Sequence, residues 1–174
     1  MSGRENVRPD AGAALLTLYD AALPQVYGYL LARCGRTALA EDLTAETFLA
    51  AVTACRRVPP PAPSTAWLVG IARHKLVDHW RSAERERRGL TAVASEPEPE
   101  ADPWDERIDV LVAHDVLATL DGLHRAALTL RYLDGLGVGE VARALRRTVP
   151  ATESLLARSR AAFRREYRRI GGGA

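Results

Sequence analysis

Apolar residues recur every three to four positions along most of the 174-residue chain, which is the period of an amphipathic helix. Near the N-terminus, this pattern predicts a helix that Pro24 interrupts and Gly35 ends. We expect Thr37 to cap a second helix. Its predicted apolar face consists of Leu39, Leu43, Phe48, Leu49 and Val52. No stretch alternates with the two-residue period of a strand, so the pattern favours an all-α fold.

A proline-rich stretch, residues 58–63, predicts a rigid loop, because proline cannot continue a helix. We expect Ser64 to cap the long helix that follows. The apolar stripe of this helix consists of Trp67, Leu68, Ile71, Ala72, Leu76, Val77 and Trp80. Trp67 is expected in the core, whereas Trp80 is expected at the edge of the helix.

An acidic, proline-rich segment separates the two halves of the chain. Residues 91–109 hold seven acidic residues and one basic residue, a balance that predicts an extended segment because like charges repel. We therefore predict two small helical domains, at residues 11–90 and 107–170, joined by a flexible linker at residues 91–106.

The end of the chain has the layout of a helix-turn-helix. A short helix with apolar Val138, Val141 and Leu145 is followed by a tight turn and a longer basic helix, which Thr148 can cap. Residues 143–169 hold nine arginines and two glutamates, a charge that favours binding to phosphate, although a solvated helix face can also be rich in arginine. We therefore predict binding to duplex DNA. The outward side chains near the start of the last helix are expected to be Glu153, Ser154, Ala157 and Arg158.

Aromatic and basic residues also alternate between Trp67 and Arg81, a pattern that suits stacking on unpaired bases.

His74 and His79 lack a third ligand at metal-binding spacing, and the two cysteines stand apart, so we expect neither a metal nor another cofactor. No apolar run approaches the roughly 20 residues that cross a bilayer, and the N-terminus is polar. A cytoplasmic location without membrane insertion is therefore expected.

Three blocks in the first half resemble region two of an extracytoplasmic-function (group IV) sigma factor of bacterial RNA polymerase. They are LPQVYGYL at residues 23–30, AEDLTAETFL at residues 40–49 and AWLVGIARHKLVDH at residues 66–79. In the second half, LTLRYLDGL at residues 128–136 and VARAL at residues 141–145 are similar to region four. The resemblance extends over about residues 14–168.

This resemblance implies a promoter-specificity subunit with no catalytic residues and no cofactor, which binds core polymerase and reads the −10 and −35 promoter elements. The side chains implied to dock on the clamp helices of the largest polymerase subunit are Glu41, Asp42, Leu43, Glu46, Thr47 and Phe48. Those implied to read the −10 element are Ser64, Arg73, His74, Lys75, Asp78, His79 and Arg81. Those implied to bind the −35 element are Arg131, Arg147, Thr148, Glu153, Ser154, Ala157 and Arg158.

Other implications of the resemblance concern control and specificity. Many members of that family are sequestered by an anti-sigma factor, so such a partner is expected. His74 and Glu153 stand where members commonly carry an asparagine and a basic residue.

Two other functions are open at the level of sequence. A helix-turn-helix regulator would bind DNA without polymerase, and it would leave the acidic helix around Glu41 without a role. A helical enzyme would need Asp42, Glu46, His74 and Asp78 to converge on one pocket.

Overall fold

The computed structural model describes residues 10–90 and 110–171, and every regular element within these two ranges is helical. The elements are α1 (Ala11–Cys34), α2 (Thr37–Cys55), α3 (Thr65–Leu90), α4 (Val110–Thr119), α5 (Gly122–Leu128), a π-helical turn (Thr129–Leu133), α6 (Val138–Leu145) and α7 (Val149–Gly171). The all-α prediction is confirmed. The chain forms two compact units that divide inside α3, between Leu76 and Val77. The predicted linker at residues 91–106 lies outside the described residues.

Helix α1 runs without a break through Pro24, where the sequence pattern predicts an interruption. A proline inside a helix removes one backbone hydrogen bond and costs about 3 kcal/mol. Burial on both sides of the proline offsets that cost, because Ala22 and Val26 are fully buried. The helix ends as predicted at Gly35, whose positive φ of 65° suits a residue without a side chain.

Helix α2 buries a different face from the predicted one. Its buried side chains are Ala40, Leu43, Thr44, Thr47 and Ala51, most of them small. The Thr44 hydroxyl donates to the Ala40 carbonyl at 2.6 Å, and the Thr47 hydroxyl donates to the Leu43 carbonyl at 2.7 Å. These bonds satisfy both hydroxyls inside the helix, so threonine can be buried at little cost. Leu49 and Val52 therefore remain outside, at 68% and 44% exposure.

The two helix starts in the first unit differ in their capping. Ser64 caps α3 as predicted, because its Oγ accepts a hydrogen bond from the Trp67 backbone N–H at 3.2 Å. Thr37 is instead the first residue of α2, and Arg36 occupies the cap position without a side-chain bond.

The expectations for the two tryptophans of α3 are reversed in the structure. Trp67 is half-buried, whereas Trp80 is only 3% exposed. Trp80 is buried because it lies against α5: a Cβ on Gly122 would come within 2.3 Å of the Trp80 carbonyl oxygen.

The core of the second unit lies between α4, α5 and α7. Its buried cluster consists of Val116, Leu120, Leu128, Ala162 and Phe163. The Arg125 guanidinium closes the C-terminal end of α4 by donating to the carbonyls of Leu117 at 2.7 Å, Ala118, and Leu120 at 3.4 Å. The last carbonyls of a helix have no partner within it, so this side chain replaces the missing donors.

Asp121 caps the start of α5. Its carboxylate accepts a hydrogen bond from the His124 backbone N–H at 2.8 Å, and it lies 3.0 Å from Nδ1 of the same histidine. Burial raises the pKa of Asp121, but the hydrogen bonds from His124 and the charges of His124 and Arg87 outweigh it and lower the pKa to about 2.

The stretch at residues 122–133 is divided into α5 and the π-helical turn. After it, Gly135 has a positive φ of 69°, which ends the helix before α6. The Gly137 backbone N–H donates to the Glu140 carboxylate at 2.8 Å, and this bond closes the first turn of α6. A three-residue turn with Arg146 in the left-handed region then leads to α7, so the helix-turn-helix layout is present.

Replacing the Asp121 carboxylate should destabilise the second unit in a pH-dependent way. At neutral pH, Asp121→Ala is expected to lower the free energy of unfolding by about 1 kcal/mol through loss of the cap. Because the pKa of Asp121 is lower in the folded chain than in the unfolded one, its contribution is full above pH 4 and is lost as the pH falls towards 2. Urea denaturation at pH 7, 4 and 3 measures both effects. The exposed Asp115→Ala is the control, and parallel pH profiles for the two variants would contradict the assignment.

Candidate functional site

The acidic surface of α2 is formed by Glu41, Asp42 and Glu46, which are all exposed. Leu43 and Thr47, which were expected on the same surface, are instead buried, at 3% and 0% exposure. They point into the core because α2 turns its small and threonine face towards α1. Direct contact with a partner can therefore involve the three carboxylates, while Leu43 and Thr47 hold the helix in place.

An apolar groove between α1 and α2 borders this acidic surface. It is lined by Tyr19, Leu23, Pro24, Tyr27, Glu41, Thr44, Ala45 and Phe48. The rings of Tyr19 and Phe48 meet edge to face, with centroids 4.9 Å apart. Leu16 and Leu49 are also exposed, at 77% and 68%. Large apolar side chains beside charged ones are typical of a protein interface. The apolar pattern did not predict this groove, because it placed Leu49 and Phe48 on the buried face of the helix.

An ion pair connects the acidic surface to α3. The Lys75 ammonium lies 3.1 Å from the Glu46 carboxylate, and both side chains are partly exposed. The structure thus brings together two residues that the resemblance assigns to different partners. An exposed ion pair of this kind contributes at most about 1 kcal/mol to stability. A molecule that binds to Glu46 or to Lys75 can therefore break the pair at low cost.

The outer face of α3 carries His74, Asp78 and Arg81, spaced so that they share one side of the helix. His74 and Asp78 are exposed, and the Arg81 guanidinium lies 3.8 Å from the Asp78 carboxylate. Arg73 and His79 are half-buried on either side of this face. Ser64 is exposed, but its hydroxyl oxygen already caps α3.

The proline-rich loop before α3 packs beside the start of α1. It forms a pocket whose lining side chains are all alanine or proline: Ala11, Ala14, Pro59, Pro60, Pro61, Ala62 and Pro63. Such a lining offers an apolar surface and no side-chain hydrogen-bond donor.

The exposed face of α7 begins at its first turn. The Thr148 hydroxyl accepts from the Ala151 backbone N–H at 3.4 Å, and Glu153 and Ser154 are exposed one turn later. Ala157 and Arg158, which were expected to point outward, are instead half-buried. Leu155, Leu156 and Phe163 lie in the core, as the pattern predicts. The N-terminal half of α7 therefore presents the Glu153 carboxylate and the Ser154 hydroxyl to solvent, with the half-buried Arg158 one turn further on.

Of the two arginines assigned to phosphate contacts, Arg147 is exposed in the turn before α7, whereas Arg131 is half-buried. The Arg131 guanidinium donates to the Leu136 carbonyl at 2.8 Å, which fixes the loop that leads into α6. This bond gives Arg131 a structural role that the sequence did not indicate.

Two exposed apolar residues beside Arg131 were also not identified from the sequence. Tyr132 and Leu133 are 56% and 48% exposed on the π-helical turn. The Arg160 guanidinium of α7 lies 3.4 Å from the Tyr132 hydroxyl. A departure from α-helical hydrogen bonding often marks a functional surface, and here it displays an aromatic side chain.

Residues 10–90 and 110–171 contain no group of three or more histidine, cysteine or carboxylate side chains placed to hold a metal ion. Among the helices in those ranges, none is long and apolar enough to cross a membrane.

Family models match both halves of the chain. Residues 18–86 match the model described as Sigma-70 region 2, and residues 111–163 match the model described as Sigma-70, region 4. The two matches occur in the order that the sequence blocks predict.

Relatives with known descriptions agree with these matches. The chain is 35% identical to the ECF RNA polymerase sigma factor SigL of Mycobacterium tuberculosis over 136 residues, which cover 76% of this chain and 77% of SigL. It is 32% identical to the RNA polymerase sigma factor CarQ of Myxococcus xanthus, with 88% of each chain covered. It is 35% identical to the ECF RNA polymerase sigma factor BldN of Streptomyces coelicolor, but the match spans only 54% of BldN.

A solved structure shows a similar fold. The sigma factor RpoE of Bartonella quintana, in complex with the anti-sigma factor NepR, aligns with a TM-score of 0.52. The alignment covers 87% of this chain and 95% of that one at 19% sequence identity.

Replacing Arg131 should test its structural role, because loss of a contact to DNA phosphate would not change the stability of the free chain. Arg131→Ala is expected to lower the free energy of unfolding by about 1.5 kcal/mol, because the Leu136 carbonyl loses a charged donor. The control is Arg143→Ala, which removes an exposed arginine from α6 and should change stability by less than about 0.5 kcal/mol. Urea denaturation measures both. Equal stability of the two variants would argue against the structural role.

Proposed function

Because the chain belongs to the extracytoplasmic-function sigma factors of bacterial RNA polymerase, we propose that it directs core polymerase to promoters through three surfaces of its own. The observation that carries this proposal is the presence of both region 2 and region 4 matches in one chain, in the family's order. The proposed domain division is region 2 at residues 11–90, a linker at residues 91–106 and region 4 at residues 107–170.

The first surface is the acidic surface of α2 together with the neighbouring apolar groove, which we assign to the clamp helices of the largest polymerase subunit. Glu41, Asp42 and Glu46 supply charge that would attract a basic partner and fix its orientation. Tyr19 and Phe48 supply an aromatic pair that a partner could cover.

The second surface is the outer face of α3, which we assign to the −10 element. His74, Asp78 and Arg81 share one side of the helix, beside the half-buried Arg73 and the Lys75 ammonium. Basic groups along this face would neutralise the DNA backbone, and the exposed His74 and Asp78 would be available to base edges. The alanine and proline pocket beside α1 would favour a base that is recognised by shape.

The third surface is the exposed face of α7, which we assign to the −35 element. Glu153 can accept from the amino group of cytosine, and Arg158 can donate to guanine. Arg147 and Thr148 lie just before these residues, where backbone phosphates pass a recognition helix.

These assignments make promoter binding bivalent. The α3 surface and the α7 surface would each bind DNA weakly alone. The polymerase would hold these two surfaces at the promoter spacing, so their affinities would combine. The chain would have no catalytic activity of its own and would act in the cytoplasm beside the polymerase. An anti-sigma factor is a proposed partner, because the exposed apolar groove needs a cover when polymerase is absent.

A helix-turn-helix regulator that acts without polymerase is the alternative function. It would bind an operator tightly by itself, whereas a sigma factor needs the core enzyme. Run-off transcription with core polymerase and a library of promoter templates distinguishes the two. Stimulation from a subset of templates is expected, and the absence of any stimulation, together with failure to co-purify with core polymerase, would refute the sigma-factor assignment.

Removing the carboxylates of the acidic surface should weaken polymerase binding. The triple variant Glu41→Ala, Asp42→Ala and Glu46→Ala is expected to bind core polymerase roughly tenfold more weakly at low salt, with a smaller effect at high salt. Fluorescence anisotropy of the labelled chain measures the Kd. The control variant Asp115→Ala and Glu166→Ala removes two carboxylates from α4 and α7 and should leave the Kd unchanged. Equal affinity of the two variants would place the polymerase contact elsewhere.

Replacing Glu153 should change the −35 preference. Glu153→Ala is expected to relax discrimination at one base pair by about 1–3 kcal/mol, because one base-edge contact is removed. Selection of −35 sequences from a randomised library by the holoenzyme measures the preference. Glu166→Ala removes a carboxylate from the other end of the same helix and is the matched control. A Glu153→Ala holoenzyme that selects the wild-type sequence would show that the reading face is placed wrongly.

A further inference from the structure

The exposed face of α7 continues beyond its first turns as a row of arginines. From Ser154, intervals of four, seven and four residues lead to Arg158, Arg165 and Arg169, and these intervals place all of them on one side of the helix. Arg168 lies one turn beyond Arg165 and is its neighbour on the helix surface. Arg165, Arg168 and Arg169 are exposed, and Arg158 is half-buried. We call these four arginines the arginine stripe.

Little negative charge accompanies the arginine stripe on α7. Between residues 154 and 171, Glu166 is the single acidic residue, and its carboxylate accepts a hydrogen bond from the Arg169 Nε at 2.8 Å. One carboxylate beside several arginines leaves this surface strongly positive. A surface of this kind attracts an anionic partner.

The chain itself contains an anionic segment of matching charge. Residues 91–109, which we call the acidic segment, hold seven acidic residues and one basic residue. Residues 143–169 hold nine arginines and two glutamates, so the excess of positive charge there is close to the excess of negative charge in the acidic segment. Opposite charges at short range attract each other, and salt weakens the attraction.

The acidic segment ends beside the arginine stripe. Its last residue directly precedes α4, and Val112 in the first turn of α4 packs against the buried cluster that contains Phe163. Phe163 lies on α7 near the middle of the stripe, which is about 17 Å long at 1.5 Å per residue. The glutamates from Glu96 to Glu100 lie ten to fourteen residues before α4, and an extended chain of that length reaches roughly 35–50 Å. They can therefore reach every position of the stripe, at an effective concentration in the millimolar range because they are tethered.

We propose that the acidic segment docks on the arginine stripe of the same chain and competes there with DNA phosphate. The competition rests on the proposed function, because it requires that α7 binds DNA, whereas the docking itself does not. The stripe begins at Arg158, inside the surface assigned to the −35 element, so a docked carboxylate and a DNA phosphate compete for the same guanidinium groups. Docking thus lowers the affinity of the chain for duplex DNA by the fraction of chain in which the stripe is open.

Carbodiimide cross-linking of the full-length chain tests the docking without DNA. This reagent condenses a carboxylate and a primary amine into an amide, and the chain has one lysine, Lys75. Arg165→Lys adds an amine on the stripe, and Arg143→Lys adds one at an exposed position of α6 in the same unit. Links from position 165 to the acidic segment are expected in several-fold excess over links from position 143, and they should disappear at high salt. Equal yields from the two positions would overturn the proposal.

A mixture of chains with natural and heavy nitrogen identifies the source of the docked segment. Links within one chain are expected to predominate. Links that mainly join a natural chain to a heavy chain would show that a second copy supplies the segment, and they would overturn the proposal.

Neutralising the acidic segment should strengthen the binding of a non-specific duplex, which reports phosphate contacts alone. The variant replaces three glutamates: Glu96→Gln, Glu98→Gln and Glu100→Gln. Its Kd, measured by fluorescence anisotropy of a labelled duplex at low salt, is expected to be roughly fivefold lower if the docked form holds about four fifths of the wild-type chain. The control neutralises three exposed carboxylates on α1, α3 and α4: Asp20→Asn, Glu86→Gln and Asp115→Asn. Equal Kd values for the variant and the control would overturn the proposal.

A change on α7 separates docking from a general effect of charge. Arg165→Gln and Arg168→Gln remove two exposed guanidinium groups of the stripe. In that background, neutralising the three glutamates should change the Kd by less than about twofold, because the two sets of charges no longer interact. A fivefold change that persists in that background would overturn the proposal. Failure of the proposed function is read separately, from a wild-type chain that neither binds core polymerase nor stimulates run-off transcription.

Discussion

The first half of the molecule depends on the close packing of α1 against a face of α2 that is made of alanine and threonine. Thr44 and Thr47 can lie in this core because their hydroxyls donate to carbonyls one turn earlier in the same helix. Small side chains let the two helices approach closely, and the large ones are left on the outside. Because α2 buries this face, the apolar groove of Tyr19 and Phe48 and the acidic surface beside it are left exposed.

In the second half, polar groups at the helix ends determine the arrangement. Arg125 supplies donors to the last carbonyls of α4, Asp121 accepts at the first turn of α5, and Arg131 fixes the loop before α6. Each bond satisfies a backbone group or terminus that a short helix leaves unpaired. Together they fix the ends of the short elements that precede α7, on which Glu153 is exposed. The arginines of region 4 therefore serve two purposes, and only their surroundings distinguish a structural arginine from one available to DNA.

The surfaces assigned to different partners are not independent. Glu46, which we assign to polymerase docking, forms an ion pair with Lys75, which the resemblance assigns to the −10 element. The far half of α3 also contacts α5, because the Gly122 backbone N–H donates to the Glu84 carboxylate. Helix α3 therefore contacts the acidic surface of α2 near its middle and α5 nearer its C-terminal end.

The sequence by itself determined the helical class, the layout of the helix-turn-helix and the family. These depend on local signals: the helical period, the caps at Ser64 and Thr148, the break at Gly135 and the ordered motif blocks. Tertiary structure decided which face of each helix is buried. Leu49 is exposed and Thr47 is buried, because the buried face of α2 is the one that packs closely against α1. The same reason applies to Trp80 and Arg131. The apolar stripe included Trp80, but its close approach to α5, and the hydrogen bond from Arg131 to the loop before α6, involve other elements, which periodicity along one helix does not identify.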